Sequence, residues 1–309
     1  VWLAIAAPRG EAKSTFVSLF FVLWAVLTGR KHYILIIADA LEQAASLLGA
    51  VKDELEFNEA LKRDFPGAGK GHVWNVGTVV TPGNVKIQAL GAGKRMRGLR
   101  HGPHRPDLIV LDDLENDGNV DKPEQRDKLQ SWLQKTVLNL GAADGSMDVV
   151  YVGTLLHYDS VLARTLRKPL WKARTFRSIL RWPDRMDLWD EWESLLSSRG
   201  EAEARRFYRQ HRAKMEAGAE VSWPASRPLY RLMCLRAEDR EAFDSEQQND
   251  PLSANEAPFN GCITFWVDRS RDWLLFGAVD PSLGKQGAGR DPSAILVGGF
   301  LRGSMTLDV

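Results

Sequence analysis

Cysteine is nearly absent. The 309 residues hold two, Cys234 and Cys262, a number and spacing that exclude a disulfide framework and a zinc ligand set and that fit a reducing compartment. An excess of one charge is lacking too: 41 Lys and Arg stand against 40 Asp and Glu, a formal net charge of +1. No global field therefore draws the chain to nucleic acid or to a membrane surface, and any such attraction has to be local. Long apolar runs are also missing. The longest, Phe16 to Leu27, is broken only by Ser18; it is too short to span a bilayer and reads as a buried helix, with no membrane segment and no signal peptide expected. The chain lacks an initiating Met and both opens and stops in strand-like sequence, so a fragment at both ends is expected. Its 11 tryptophans are scattered and read as packing residues. Length favours about two domains.

What is present is concentrated near the start. Ile5-Ala6-Ala7-Pro8-Arg9-Gly10-Glu11-Ala12-Lys13-Ser14-Thr15 runs from an apolar entry through a tight turn into a helix-like segment. That is what a phosphate cradle needs: backbone N–H groups and a helix N-terminus facing the anion, Lys13 reaching the β- and γ-phosphates, Ser14 on Mg²⁺. The loop is non-standard. Ala7 and Ala12 stand where glycines are usual, and Gly10 and the cation Arg9 lie inside it. Read alone, an ordinary strand-to-helix turn with a solvated Lys competes with the P-loop reading.

A second motif decides between them. In Asp107-Leu108-Ile109-Val110-Leu111-Asp112-Asp113-Leu114-Glu115-Asn116, four consecutive apolar residues suit a strand buried on both faces of a parallel sheet, and the carboxylates suit a site at its C-terminal edge. Asp112 would hold the water shell of Mg²⁺, and Asp113 or Glu115 would deprotonate the attacking water. Together the two motifs point to a nucleoside triphosphatase.

The elements around them follow a β-α-β-α order, which predicts a parallel sheet with crossover helices. Val1 to Ala7, Tyr33 to Ala38 and Asp148 to Gly153 read as core strands, and Ser14 to about Gly29 as a helix. Asp39 is expected to cap a helix to about Leu61, and Thr78 to Leu90 to form a hairpin around Pro82-Gly83-Asn84. Lys122 to Leu140 carries amphipathic spacing, and Thr154 closes the third core strand, where its hydroxyl would sense a γ-phosphate. Gly91 to Arg105 interleaves glycines with Arg95, Arg97 and Arg100, a mobile basic loop suited to gripping a phosphate backbone or completing a neighbouring subunit's site; a solvated loop is the competing reading. Trp171 to Arg181 reads as one further strand, Asp187 to about Gly218 as a charged helix broken at Gly200, and Leu229 to Gln247 as a short helix. Leu274 to Val279 reads as a strand ending in Asp280, with a second strand after Asp291 and Asp308 on a third. A strand-end Asp opening a meander is how ribonuclease H-type nucleases begin, with carboxylates gathering two Mg²⁺ ions; a plain hairpin competes.

In their order, these motifs resemble the large subunit of tailed-phage terminases, the motor that packages viral DNA. The resemblance covers nearly the whole chain and rests on Pro8 to Thr15, Leu111 to Asn116, Val152-Gly153-Thr154, Phe243 to Pro251, and Val279-Asp280-Pro281-Ser282 with Asp291. It implies an α/β fold: a P-loop NTPase sheet with flanking helices over residues 1–180, a small helical lid or linker over 181–262, and the opening strands of a ribonuclease H-like nuclease domain over 263–309. Nucleotide contacts would come from Arg9, Gly10, Glu11, Ala12, Lys13, Ser14, Thr15 and Asp112, the Walker B carboxylate. Asp113 occupies the catalytic-acid position, where the family usually has Glu, and Glu115 is its rival. Gly153 and Thr154 look like the coupling motif, and Asp280 and Asp291 like nuclease metal ligands beside Ser14 and Asp112 at the ATP site. The implied activity is Mg²⁺-dependent ATP hydrolysis coupled to translocation of double-stranded DNA into a procapsid, with an endonuclease using Mg²⁺ or Mn²⁺. Implied partners are double-stranded DNA, the portal protein, a small terminase subunit and sibling subunits in a ring, in the cytoplasm of an infected bacterium. A helicase-like ATPase, or an inactive prophage relic that binds DNA or portal, is the alternative.

Overall fold

A computed structural model of the chain describes residues 1–94, 96, 98–251, 273–280, 294–301 and 306–308. These divide into two compact units, the first built from Val1–Asp121 and Gln125–Leu252, the second holding a separate small sheet.

In the first unit, eight strands form one sheet: β1 (Trp2–Ala6), β2 (Tyr33–Ala38), β3 (Val73–Trp74), β4 (Thr78–Val80), β5 (Lys86–Gly91), β6 (Leu108–Asp112), β7 (Asp148–Gly153) and β8 (Lys172–Thr175). Their order is β3-β4-β5-β2-β6-β7-β1-β8. From β5 to β8 every neighbour is parallel, and only the β3 and β4 edge is antiparallel. The expected α/β class and P-loop NTPase architecture are therefore present. The runs in β2 and β6 are apolar because both faces are covered. Tyr33, Leu35 and Ile37 pack with Ile109 and Leu111 on one side, and Ile34, Ile36 and Ala38 with Leu108 and Val110 on the other.

The topology sets the site. β7 lies between the strand that feeds the phosphate loop and the strand that ends in the carboxylates. All three deliver their C-terminal ends to one edge, the usual place for ligand chemistry in an open parallel sheet. The segment after the loop is π-helical over Thr15–Phe21 before continuing as α1 (Val22–Leu27). Helices α2 (Leu41–Phe57) and α3 (Glu59–Asp64) follow β2. Their boundary at Asn58, whose side chain caps α3, replaces the single helix expected. Asp39 caps neither; its carboxylate accepts from Asn116 and Asn119 instead. The hairpin forms as expected, closed by Thr81 and Asn84. Helices α4 (Asp117–Val120) and α5 (Pro123–Lys135) follow β6, and α6 (Val161–Leu166) follows β7.

Beyond β8 the sequence reading needs two corrections. The run Trp171 to Arg181 is not one strand: β8 pairs with β1, whereas β9 (Ile179–Arg181) leaves the sheet and pairs with β10 (Glu220–Val221). The segment Leu229 to Gln247 is two helices, α9 (Leu229–Glu238) and α10 (Arg240–Glu246), because Asp239 caps the second. The charged segment is α7 (Met186–Arg199) and α8 (Glu201–Met215), broken at Gly200 as expected. Their inner faces bury Trp189, Trp192 and Met215 against Leu232, Met233 and Phe243, a core of its own.

The second unit is an antiparallel meander, β11 (Trp273–Asp280), β12 (Ala294–Leu301) and β13 (Thr306–Asp308). Leu274, Leu275, Phe276, Val279 and Val297 are exposed on it. Among the described residues no helix is long and apolar enough to cross a membrane.

Candidate nucleotide-binding site

The candidate phosphate loop leaves β1 through Ala7, whose N–H donates to the Gly153 carbonyl at 2.9 Å. Gly10 (φ +79°) and Ala12 (φ +57°) are both left-handed. At Ala12 that conformation is borne by a residue with a Cβ, a strained arrangement of the kind that collects at functional sites. The helix then begins without a side-chain cap at Ser14. The Ser14 hydroxyl is committed elsewhere, donating to Asp112 Oδ1 at 2.9 Å. One turn on, the Ser18 hydroxyl donates to Asp112 Oδ2. Ser18 was missed as a site residue, although it is the one polar interruption of the apolar run and that was the available signal.

Asp112 is fully buried. Desolvation raises its carboxyl above the ordinary carboxylate range, with the two serine hydroxyls and Lys13 opposing and Asp113 adding to the rise. Beside it, Lys13 Nζ lies 3.1 Å from Asp113 Oδ2. The Lys13 side chain is 9% exposed and that of Asp113 31%, so the cation is enclosed while the carboxylate reaches solvent. Asp113 is itself left-handed (φ +45°) and its N–H donates to Val152 at 3.0 Å. The end of β7 thus hydrogen-bonds to both the phosphate loop and the acidic turn. Gly153 permits that approach: a Cβ there would lie 3.2 Å from Leu162 Cδ2 and 3.4 Å from Asp113 Oδ1.

The two rival carboxylates have different surroundings. Glu115 accepts from the N–H groups of Val161 (2.7 Å) and Leu162 (3.1 Å) and from the Tyr151 hydroxyl (3.3 Å). It anchors the start of α6, and burial raises its carboxyl despite those donors. Asp113 has one ion-pair partner, and both carboxylates border, with Arg9, Asp39 and Thr154, a cavity of about 160 Å³. The Thr154 hydroxyl, expected to face a γ-phosphate, donates to the Ala7 carbonyl at 3.2 Å.

Residues far along the chain close over the loop. The Arg9 N–H donates to the Glu246 carbonyl (2.9 Å), and its guanidinium pairs with the Glu246 carboxylate at 2.5 Å. Glu11 accepts from Ser178 and Ser222. The Arg227 guanidinium occupies the space a Cβ on Gly10 would need, 2.0 Å from that position, and donates to Gln247. Asn249 accepts from the Leu155 N–H at 2.8 Å and donates to the Phe176 carbonyl at 2.9 Å. From its residues the segment Phe243 to Pro251 reads only as the end of a helix and a linker, and nothing but the resemblance marks it as a motif. Ser178, Ser222 and Arg227 carry no signal in the sequence, since each is a lone polar residue tied to the loop only by the tertiary fold.

Arg100 is exposed, and Arg95, Arg97 and Asp291 lie outside the described residues. The described part of the basic loop is tethered rather than free: Met96 is buried in the main core, the Trp132 indole donates to the Lys94 carbonyl, and His104 stacks on His32. Asp280 ends β11 in the second unit.

Mg²⁺ held with a nucleotide takes hard oxygen donors, one or two carboxylates plus phosphate and water. Ser14 Oγ and Asp112, bonded to each other and flanked by Lys13, fit that requirement. Among the described residues no cluster of three or more potential ligands converges, so remaining ligands would come from phosphate and water.

The mostly parallel sheet with helices on both faces, and the loop and buried carboxylate at its strand ends, have the P-loop NTPase class of fold. Among solved structures, the chain is similar to the ATPase domain of the large terminase of Thermus phage P74-26, at 14% identity and a TM-score of 0.41, over 81% of this chain and 88% of that one. A single-substitution variant of the same domain gives 12% identity and a TM-score of 0.38 over the same shares. No family model and no curated protein matches the chain.

Proposed function

We propose that the protein is an ATP-hydrolysing motor that translocates double-stranded DNA into a phage procapsid. The observation that carries the ATPase reading is the joining of Lys13, Ser14, Asp112 and Asp113 at one sheet edge, with Lys13 Nζ 3.1 Å from Asp113 and Ser14 Oγ 2.9 Å from Asp112. Ser14 and Asp112 would hold Mg²⁺, which would supply charge neutralisation to the phosphates. Lys13 exchanges its carboxylate partner for phosphate oxygens. Asp113, thereby released and already open to solvent, orients the attacking water and takes its proton. Glu115 is assigned to holding α6 in place, because its oxygens are committed to main-chain N–H groups. Gly153 and Thr154, bonded to the loop entry at Ala7, are the coupling segment through which a change at the loop reaches β7 and, by way of Leu155 and Asn249, the chain beyond.

The DNA-packaging reading rests on the order of motifs along the chain. With it go domain limits of 1–180, 181–262 and 263–309, partners comprising DNA, portal, a small terminase subunit and sibling subunits in a ring, and a place in the cytoplasm of an infected bacterium. The basic loop with Arg95, Arg97 and Arg100 would grip DNA or complete a sibling's site. Asp280 and Asp291 would belong to a nuclease using Mg²⁺ or Mn²⁺. The antiparallel β11–β12–β13 meander favours this over a helicase-like second parallel domain. The test is ATP hydrolysis with and without linear double-stranded DNA. Stimulation that requires duplex ends or length supports a packaging motor, and turnover indifferent to DNA overturns it.

A further inference from the structure

Glu11 is a misplaced charge if the loop binds phosphate. A carboxylate between two left-handed residues in the middle of the cradle, Gly10 and Ala12, would repel a triphosphate or diphosphate across a few ångströms. The fold draws that charge aside. The Ser178 hydroxyl donates to Glu11 Oε1 at 2.6 Å, and the Ser222 hydroxyl reaches Oε1 at 2.8 Å and Oε2 at 2.9 Å. The two serines belong to one device: Ser178 precedes β9, Ser222 follows β10, and the Ser222 N–H donates to the Ser178 carbonyl at 2.9 Å. Ser178 is fully buried and also touches Gln247. The β9–β10 ribbon is therefore a platform whose position decides where the Glu11 carboxylate lies.

We infer that Glu11, Ser178 and Ser222 form an electrostatic latch that ties nucleotide affinity to the position of the β9–β10 ribbon. With the ribbon seated, the carboxylate is held on the serines and the cradle accepts phosphate. With the ribbon displaced, the carboxylate returns to the loop and disfavours the bound anion, so ribbon movement promotes nucleotide release. Ser222 is a positioning residue that acts through Glu11. The inference rests on the P-loop reading.

The latch is tested on the full chain by calorimetric titration with ADP and Mg²⁺, using Ser222→Ala, Glu11→Gln, the double variant and Lys13→Ala. A unit charge moved close to a phosphate in a partly screened site is worth about a five- to tenfold change in affinity. Ser222→Ala should weaken ADP binding by that factor, and the deficit should shrink as salt rises from about 50 mM to about 1 M. Glu11→Gln should bind at least as tightly as wild type, and the double variant should match Glu11→Gln within about twofold. Unaltered affinity in Ser222→Ala, or a double variant as weak as Ser222→Ala alone, overturns the latch, the latter outcome marking a purely structural serine. Lys13→Ala separates the two levels: wild-type ADP affinity in that variant overturns the P-loop reading and the latch with it. Lost affinity there, alongside an unaltered Ser222→Ala, overturns the latch only.

Discussion

Exchanging each acidic residue after β6 for its amide should produce opposite phenotypes. Glu115→Gln leaves one acceptor where two oxygens served Val161, Leu162 and Tyr151, and it points an amide N–H₂ at a main-chain donor. Losing a charge-assisted hydrogen bond in a buried setting costs about 1.5–3 kcal/mol, and removing the desolvated charge returns part of it, for a net loss of about 1–2 kcal/mol. In a unit of this size that lowers the melting temperature by roughly 2–8 °C, while turnover per folded molecule persists. Asp113→Asn removes one partly exposed ion pair, worth about 0–1 kcal/mol, so melting should barely move. If Asp113 is the base, hydrolysis should drop by about 10²–10⁴-fold. The assay is steady-state phosphate release at saturating ATP beside thermal denaturation of each variant. Normal turnover in Asp113→Asn, with turnover lost and melting unchanged in Glu115→Gln, would refute the assignment.

Burial raises the Glu115 carboxyl above its ordinary 4.5. Such a group binds its proton more tightly in the folded chain than in the unfolded one, so its stabilising contribution is whole below that ordinary value and is lost as pH rises through the folded pKa. The stability gap between wild type and Glu115→Gln should therefore narrow from about pH 4 to about pH 8 in denaturant titrations; a gap that widens contradicts the burial argument. Gly218 (φ +77°) has no room for a methyl, its Cβ position lying 2.2 Å from Asp184 Oδ1, so Gly218→Ala should cost about 1–3 kcal/mol, read as a lowered denaturation midpoint. Mixing Arg97→Ala subunits with Lys13→Ala subunits should restore partial turnover if the basic loop completes a sibling's site, because mixed interfaces then contain one intact pair; rescue absent at every ratio in assembled rings would leave DNA contact or solvation for that loop. In protein that cleaves DNA with Mg²⁺ or Mn²⁺, Asp280→Ala should abolish cleavage and spare ATP turnover, and cleavage that survives would remove Asp280 from the nuclease reading.

The parallel core was legible because each strand announces itself locally. Tyr33 to Ala38 and Leu108 to Leu111 are apolar throughout for the same reason that they are covered on both faces. The loop and its carboxylates stand out as candidates because their residue types are compressed into short segments. What failed needed partners distant in sequence. Asp39 looks like a helix cap until Asn116 and Asn119 compete for it. That α6, more than forty residues on, donates to both Glu115 oxygens is equally invisible in the local sequence. The run Trp171 to Arg181 looks like one strand because residue types do not report that β8 pairs with β1 and β9 with β10. The brace over the phosphate loop was invisible for the same reason, since Ser178, Ser222 and Arg227 acquire meaning only where the fold sets them against Glu11 and Gly10.

In the proposed ATPase, Lys13, enclosed beside Asp113, meets the phosphates of ATP. That contact is tested by ATP turnover with Mg²⁺ in wild type and Lys13→Ala, each shown to be folded by circular dichroism and thermal denaturation. The arrangement predicts turnover in wild type and none above background in a folded Lys13→Ala, because a neutral methyl leaves the β- and γ-phosphates without their cation. Equal turnover by the two folded proteins would contradict it.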